Sequence, residues 1–357
     1  MHFKHHQIDK KKWDKCISSS KENIIYAFSW YLDQVSPKWE GFVLEDENNE
    51  YIAVMPLPTK KKYGISFLQV PLFAQQLGVF SIKKLSTFEF KAFLFLLQKR
   101  FKLISNYPFN TTNYEEFEIE FEEVFDKNTA LKKHKTHHLS LNKEYSQIRQ
   151  DYKKDTKYRI NQAQKQNFEA VRKTQNDDID LVFDFFEKNV SLKNGISSQA
   201  KQTLKTLFKI LKERGLTELF YIKNNQNEIV SGVFFVKSEM FYQENNQNYC
   251  TTKWIYLFNA AKKKENQKDE SRRWFLDKFI QEKRSLIIVN NFEKQSKSTT
   301  YETVLDFESA QEKSVVRFYE SFGSKEKPFF VVDYNKLPFY TKAIQYLIRI
   351  IRQFISK

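Results

Sequence analysis

The chain has 357 residues, a formal net charge of +15 and only seven glycines. No GxGxxG and no GxxxxGK[ST] pattern occurs in it, which removes Rossmann dinucleotide and Walker nucleotide sites from consideration. The lysine-rich excess of positive charge suits an anionic partner, whether nucleic acid, a phosphate-bearing substrate or a membrane surface, and is equally what an AT-rich coding composition leaves behind.

In chain order, a helix is predicted near Lys10–Val35, then a hairpin over Gly41–Val54 and an apolar run at Ile65–Val70. A helix over Thr87–Leu103 follows, with Phe117–Phe121 and His138–Leu141 read as extended. Helices are predicted at Asp151–Asn167, Asp178–Asn189 and Thr203–Arg214, the last stopped by Gly215 as a C′ glycine. A second hairpin spans Leu219–Gly232, followed by a strand at Thr252–Asn259 and a helix at Ser271–Glu282. Lys283–Thr300 reads as a surface insertion. The chain closes with a strand at Thr303–Phe307, a helix at Lys313–Phe322 stopped by Gly323, a strand at Pro328–Tyr334 and a helical tail, Tyr340–Lys357. Hairpins mixed with helices imply α/β or α+β layers.

The two hairpins echo each other at an offset of 178 residues without gaps: Asn49-Glu50 falls on Asn227-Glu228, and Phe42, Val43 and Leu44 fall on Phe220, Tyr221 and Ile222. The same offset pairs the helical stretches Phe90–Phe101 and Lys268–Phe279. Because the offset is about half the length, the chain reads as a tandem duplication, with domains at 1–142 and 143–339 and a tail at 340–357.

Asp306 and Glu308 alternate with Leu305 and Phe307 at a strand end, so both carboxylates share one face and either could deprotonate an attacking amine; a solvated face is the plainer reading. Val315, Val316, Tyr319 and Phe322 form the apolar stripe of the next helix. Gln75 and Gln76 are adjacent amides inside an apolar stretch, facing either local backbone or a substrate cleft.

All six histidines fall into two HxxHH clusters, His2/His5/His6 and His134/His137/His138. That spacing suits zinc only on a helix, whereas His137 and His138 fall in a predicted strand where neighbours point apart, so no metal is expected. Cys16 and Cys250 show no CxxC spacing, the N-terminus is polar, and no run approaches the about 18 apolar residues of a membrane span. A cytoplasmic setting is predicted. The tail places Ile344, Leu347, Ile348, Ile351 and Ile355 on one face and basic residues elsewhere, a helix that would dock on its own domain or lie on an anionic membrane.

Arg317-Phe-Tyr-Glu-Ser-Phe-Gly323 resembles the FYE-x-x-G element of the GNAT acyltransferases. With Asp306-Phe-Glu308 ahead of it, the block is similar to the D-F-E-G-S…F-Y-x-x-F-G stretch of FemAB-like proteins, which are tandem-GNAT acyl or aminoacyl transferases. Tyr158–Phe168 resembles the I-x-x-A-x-K-x-G helix that opens their second domain, and Trp30–Asp33, Met55–Pro58 and Pro71–Ser81 resemble their first half. The resemblance implies two GNAT-like domains, each a mixed, mostly antiparallel sheet flanked by helices. It implies N-acyl or aminoacyl transfer to an amine acceptor, without metal, from acyl-CoA or an aminoacyl-tRNA, with tRNA as a partner in the second case. Tyr319 would protonate the departing group, Asp306 or Glu308 would be the base, and Gln75, Gln76, Tyr158, Arg159, Lys165 and Arg317 would bind substrate. The sequence departs from the pattern at Ser309-Ala310 and Asn167, and Ala260–Arg273 has no glycine where the CoA pyrophosphate loop would lie. Lys262, Lys263, Lys264, Arg272 and Arg273 stand there instead and could meet phosphates through side chains, which favours a donor larger than acetyl-CoA. The competing class is a catalytically inactive GNAT scaffold that binds nucleic acid or an anionic membrane.

Overall fold

The computed structural model describes all residues except 23, 63, 128–129, 190–196, 245–246, 262–269, 294–298, 309–311 and 340–357. The first half runs β1 (His2–Phe3), α1 (Lys10–Ser18), α2 (Ser29–Val35), β2 (Glu40–Glu45), β3 (Tyr51–Leu57), β4 (Thr59–Lys62), β5 (Ile65–Gln69), β6 (Phe80–Ser81), α3 (Thr87–Arg100), β7 (Leu103–Pro108), α4 (Thr111–Val124) and β8 (Leu131–Ser140). The second runs α5 (Tyr145–Gln150), α6 (Lys154–Gln164), β9 (Glu169–Lys173), α7 (Asp180–Asn189), α8 (Ser198–Glu213), β10 (Thr217–Lys223), β11 (Ile229–Glu244), β12 (Gln247–Ala261), α9 (Ser271–Glu293), β13 (Thr299–Asp306), α10 (Lys313–Glu320) and β14 (Lys325–Asn335).

Two sheets result: a small, wholly antiparallel one ordered β1-β2-β3-β6, and a mixed, mostly antiparallel ten-stranded one ordered β4-β5-β7-β14-β8-β13-β12-β11-β10-β9. Only β12–β13 and β5–β7 pair parallel among these ladders. The last strand, β14, lies between β7 and β8, so the end of the chain is built into the sheet of its first half. The central strands of the large sheet are buried on both faces, while its edges β4 and β9 are open. Leu219 and Tyr221 enter one core while Phe220 and Ile222 enter the other, which is why these strands read as unbroken apolar runs.

The hairpin echo extends to atomic detail. In the first turn Asp46 Oδ1 accepts from the backbone N–H of Asn48 and Glu50, and in the second Asn224 Oδ1 accepts from Gln226 and Glu228. Asn49 and Asn227 both take left-handed backbone, φ 60° and 62°. Each ladder shifts register at the equivalent place, between Leu44 and Glu45 and between Ile222 and Lys223. The helical half of the echo is looser, because α9 runs past Phe279 to Glu293 whereas α3 stops at Arg100.

Other expectations are corrected. Phe117–Phe121 lies inside α4, not a strand: Asn110 caps the helix, and Phe117 and Phe121, four apart, are buried on one face. The alternation of aromatic and Glu residues imitated a strand period. The helix expected over Lys10–Val35 breaks after Ser18, where Ser18 and Ser20 hydroxyls donate to the Lys15 and Ile17 carbonyls, and resumes at Ser29 after a single 3-10 turn, Ile25–Ala27. That over Asp151–Asn167 is also two helices, α5 and α6. Lys283–Thr300 is not an insertion at its start: α9 continues through it, with Lys283 and Arg284 buried on Glu218 and Glu144. Val315 is exposed, so the buried stripe of α10 narrows to Tyr319, with Phe322 just beyond. The tail helix and Lys262–Lys264 fall outside the described residues.

Gly215 ends α8 as expected, with the Leu216 N–H bonded to the Leu211 carbonyl at 2.8 Å and φ 67° at the glycine. Gly323 does the same after α10 at φ 77°, and a Cβ there would lie 2.8 Å from Asp151 Cβ. Gly323→Ala should therefore destabilise the fold by roughly 1–3 kcal/mol, from the left-handed backbone together with displacement of the α5–α6 link. Urea denaturation measures it.

Candidate active site

Strand β13 runs between β8 and β12, and its last residue, Asp306, lies opposite His138 of β8. Alternation along β8 turns Thr136 and His138 to the same side. Thr136 Oγ1 donates to Asp306 Oδ1 at 2.6 Å, and His138 Nε2 lies 3.1 Å from Asp306 Oδ2. Phe307 enters the core, and the chain turns at Glu308, whose φ of 63° is left-handed and whose N–H donates to Asp306 Oδ1 at 2.9 Å. Glu308 Oε1 accepts the hydroxyl of Tyr26, from the 3-10 turn between α1 and α2. The Tyr26 ring meets Tyr31 edge-on at 5.5 Å, and the Tyr31 hydroxyl donates to the carbonyl of Phe73, itself left-handed at φ 66°.

Both carboxylates are buried, against the expectation of a solvated face, and their environments push them apart. Burial drives Asp306 upward, but His138, the charge of Lys253 and the Thr136 hydrogen bond outweigh it and hold the group well below the usual carboxylate range. Burial drives Glu308 well above that range, and the Asp306 charge adds to the rise against the Tyr26 hydrogen bond. The Tyr26 and Tyr31 phenols are pushed up by burial and then by Glu308. Lys253, on β12, also makes a buried ion pair at 2.6 Å with Glu22, whose second oxygen accepts from Thr112 at 2.8 Å. A groove of about 480 Å³ opens beside that pair, lined by Glu22, Thr112, Lys21, Lys83, Lys84 and Tyr242 among others.

Tyr319 stacks on Phe307 at 4.9 Å between ring centres and is 6% exposed. Burial and then the Glu308 charge raise its phenol, while Arg272 and a hydrogen bond with Asn259 pull the other way. Asp306, Glu308 and Tyr319 are thus brought together. The expected substrate-binding residues are spread out. Gln75 is exposed, and Gln76 is buried with its Oε1 unpartnered among the described residues. Tyr158, Lys165 and Arg317 point to solvent. Arg159 is bonded to Asp155 at 2.7 Å and Glu270 at 2.5 Å. Among the described residues no hydrogen bond joins any of the six to Asp306 or Glu308. Arg273 is held by Glu270, Thr156 and Ser321, and Arg272 by Asn259, so Glu270 fills the place between Arg159 and Arg273 that an anion would take.

Sequence reasoning missed Tyr26, Tyr31, Thr136, His138, Lys253 and Glu22. One signal was available: Lys253 is a lysine in a strand that is otherwise apolar from Trp254 to Phe258.

No protein-family model matches the sequence, and no curated protein matches it significantly. Among solved structures, FemX is similar over 90% of this chain and 96% of its own, at TM-score 0.59 and 10% identity. A conserved protein of unknown function from Bacteroides thetaiotaomicron VPI-5482 is similar over 91% and 96% at TM-score 0.49 and 10% identity. L-PGS from Bacillus licheniformis is similar over 85% and 87% at TM-score 0.43 and 10% identity. The last two are too loose to carry weight; the first establishes that the chain has the FemX fold, as its motifs suggested. Among the described residues no helix is long and apolar enough to cross a membrane.

Two stability outcomes follow from the buried charges. Lys253→Met leaves Glu22 without its cation and takes one favourable charge from Asp306, and should cost roughly 3–5 kcal/mol, of which Glu22→Met in the same chain should restore a part. Glu308 has a raised folded-state pKa, so its contribution to stability is present below about pH 4 and is lost as pH rises toward the folded value. Glu308→Gln should therefore match wild type near pH 4 and be the more stable of the two at pH 8, as thermal or urea unfolding at the two pH values would read.

Proposed function

We propose that this protein transfers an activated acyl or aminoacyl group onto an amine acceptor, with Glu308 handling the proton of the attacking amine. The observation that carries the reading is the pair of buried carboxylates two residues apart, one held ionised and one held neutral, at a strand end in a FemX-like fold. Separated acidities in adjacent carboxylates are how proteins divide acid and base roles. Asp306 is a poor base, its charge already shared among Thr136, His138 and Lys253. Its part is positioning, since it holds the Glu308 backbone. Glu308, once ionised, is the stronger base and takes the proton as the amine attacks the carbonyl carbon. Tyr319, whose phenol stays protonated to high pH, supplies a proton to the departing oxygen or thiolate, leaving amide and free carrier.

The groove beside Glu22 is the proposed acceptor site; its walls carry Lys21, Lys83 and Lys84 against Glu22 and Glu116, a small positive excess that suits an acceptor carrying negative charge besides its amine. The donor is acyl-CoA or an aminoacyl-tRNA. Positioning would supply most of the rate in either case.

The test incubates the full chain with radiolabelled aminoacyl-tRNA or acyl-CoA and a panel of amine acceptors. Glu308→Gln should lower turnover roughly 10²–10⁴-fold and remove the rise of activity with pH. Tyr319→Phe should slow the thioester or ester donor without changing acceptor KM. With aminoacyl-tRNA, activity should fall steeply between 50 and 200 mM salt, whereas with acyl-CoA it should fall little. Turnover unchanged in Glu308→Gln would sink the assignment, and no transfer from any donor would leave the inactive binding scaffold as the reading.

A further inference from the structure

On the opposite side of β8 from Asp306, His137 faces a second cluster. It pairs in register with Glu326 of β14, and Glu320, the last residue of α10, reaches the same point. One ligand atom from each of the three lies within 4.8 Å of the other two. His137 is 1% exposed, and among the described residues neither Nδ1 nor Nε2 has a hydrogen-bond partner. A neutral imidazole carries one N–H and one lone pair, so a buried ring with both unpaired is rare in folded proteins.

We propose that His137, Glu320 and Glu326 bind a divalent first-row transition-metal ion, zinc being the ion whose coordination they fit. Zinc takes imidazole nitrogen and carboxylate oxygen at about 2.0–2.2 Å, and sites with three protein ligands keep a fourth position for water. The imidazole selects against magnesium and calcium, which prefer oxygen donors alone. Ligand atoms around zinc stand about 3.3–3.5 Å apart, so the carboxylates must draw in by roughly 1 Å from their present spread. They can, because Glu320 and Glu326 are 35% and 42% exposed. Lys153 and Lys135 now pair with them, are themselves more than half exposed, and can swing into solvent when the cation arrives. The ion takes one ring nitrogen and leaves the other to donate to a carboxylate oxygen or a water. Bound there it ties the end of α10 to β8 and β14, next to Tyr319, whose ring lies 6.1 Å from that of His137. The site does not depend on the proposed transfer reaction.

The test strips the full-length protein with EDTA, then titrates it with Zn²⁺ against a chromophoric chelator and with Co²⁺ in visible absorption. Wild type should bind one equivalent with a raised Tm, and millimolar Mg²⁺ or Ca²⁺ should not displace it. Glu320→Gln/Glu326→Gln should weaken Zn²⁺ binding at least tenfold while its Tm in EDTA stays within a few degrees of wild type. His137→Asn should lose the site as well, and if that variant does not fold, the exposed glutamate pair still decides. Absence of Zn²⁺ binding by folded wild type, or binding undiminished in the double glutamine variant, as histidines 2, 5 and 6 would give, overturns the proposal.

Discussion

Two carboxylates two residues apart cannot both be buried and charged without compensation, because removing an ion from water costs several kcal/mol and the second charge adds repulsion to it. The interior of this protein compensates one and leaves the other neutral. Asp306 has Thr136, His138 and Lys253, all delivered by the strands on either side of β13. Glu308 has only the Tyr26 hydroxyl to set against its burial and the Asp306 charge, among the described residues. Much of the centre follows from that inequality: Lys253 must be brought into an apolar strand, Glu22 must be brought in to answer it, and Thr112 must satisfy Glu22.

Those partners come from both halves of the chain, and the topology is what allows it. Placing β14 between β7 and β8 merges the strands into one ten-stranded sheet, so β8, from the first half, becomes the direct neighbour of β13. Thr136 and His138 then meet Asp306 from one side of β8, and His137 meets Glu326 and Glu320 from the other. Tyr26 and Glu22 arrive by a different route, from the polar break that ends α1. Had Lys10–Val35 been one helix, as its periodicity suggests, neither side chain would have the backbone freedom to turn inward there.

What the sequence disclosed and what it hid divide along this line. Local signals were legible: the hairpin echo down to its Asn turns, Gly215 and Gly323 as helix stops, and two acidic residues at the end of an apolar strand. Long-range pairing was not. Nothing within ten residues of Asp306 indicates Lys253 or Thr136, and nothing near His137 indicates glutamates almost 190 residues later. Exposure of the strand face was misjudged for the same reason, since the residues that cover it come from elsewhere in the chain. In α4 the local signal itself misled, because Phe and Glu alternating over a few residues fit a strand, and only the Asn110 cap and the four-residue spacing of Phe117 and Phe121 favour the helix.

Scarce glycine sharpens where function should be sought. Chains need left-handed backbone at turns, and here asparagine supplies it at positions 49, 106, 167 and 227, at modest cost. Among the described residues two more non-glycine positions have positive φ and no such excuse, Phe73 and Glu308, and strain of this kind persists only where surrounding structure enforces it. They are joined through two side chains: the Phe73 carbonyl accepts from Tyr31, Tyr31 packs on Tyr26, and Tyr26 donates to Glu308. Backbone strain at Phe73 and Glu308 and the displaced acidity of Glu308 thus meet through the same pair of tyrosines. The loop that carries Phe73 also carries Gln75, which is exposed, and Gln76, which is buried.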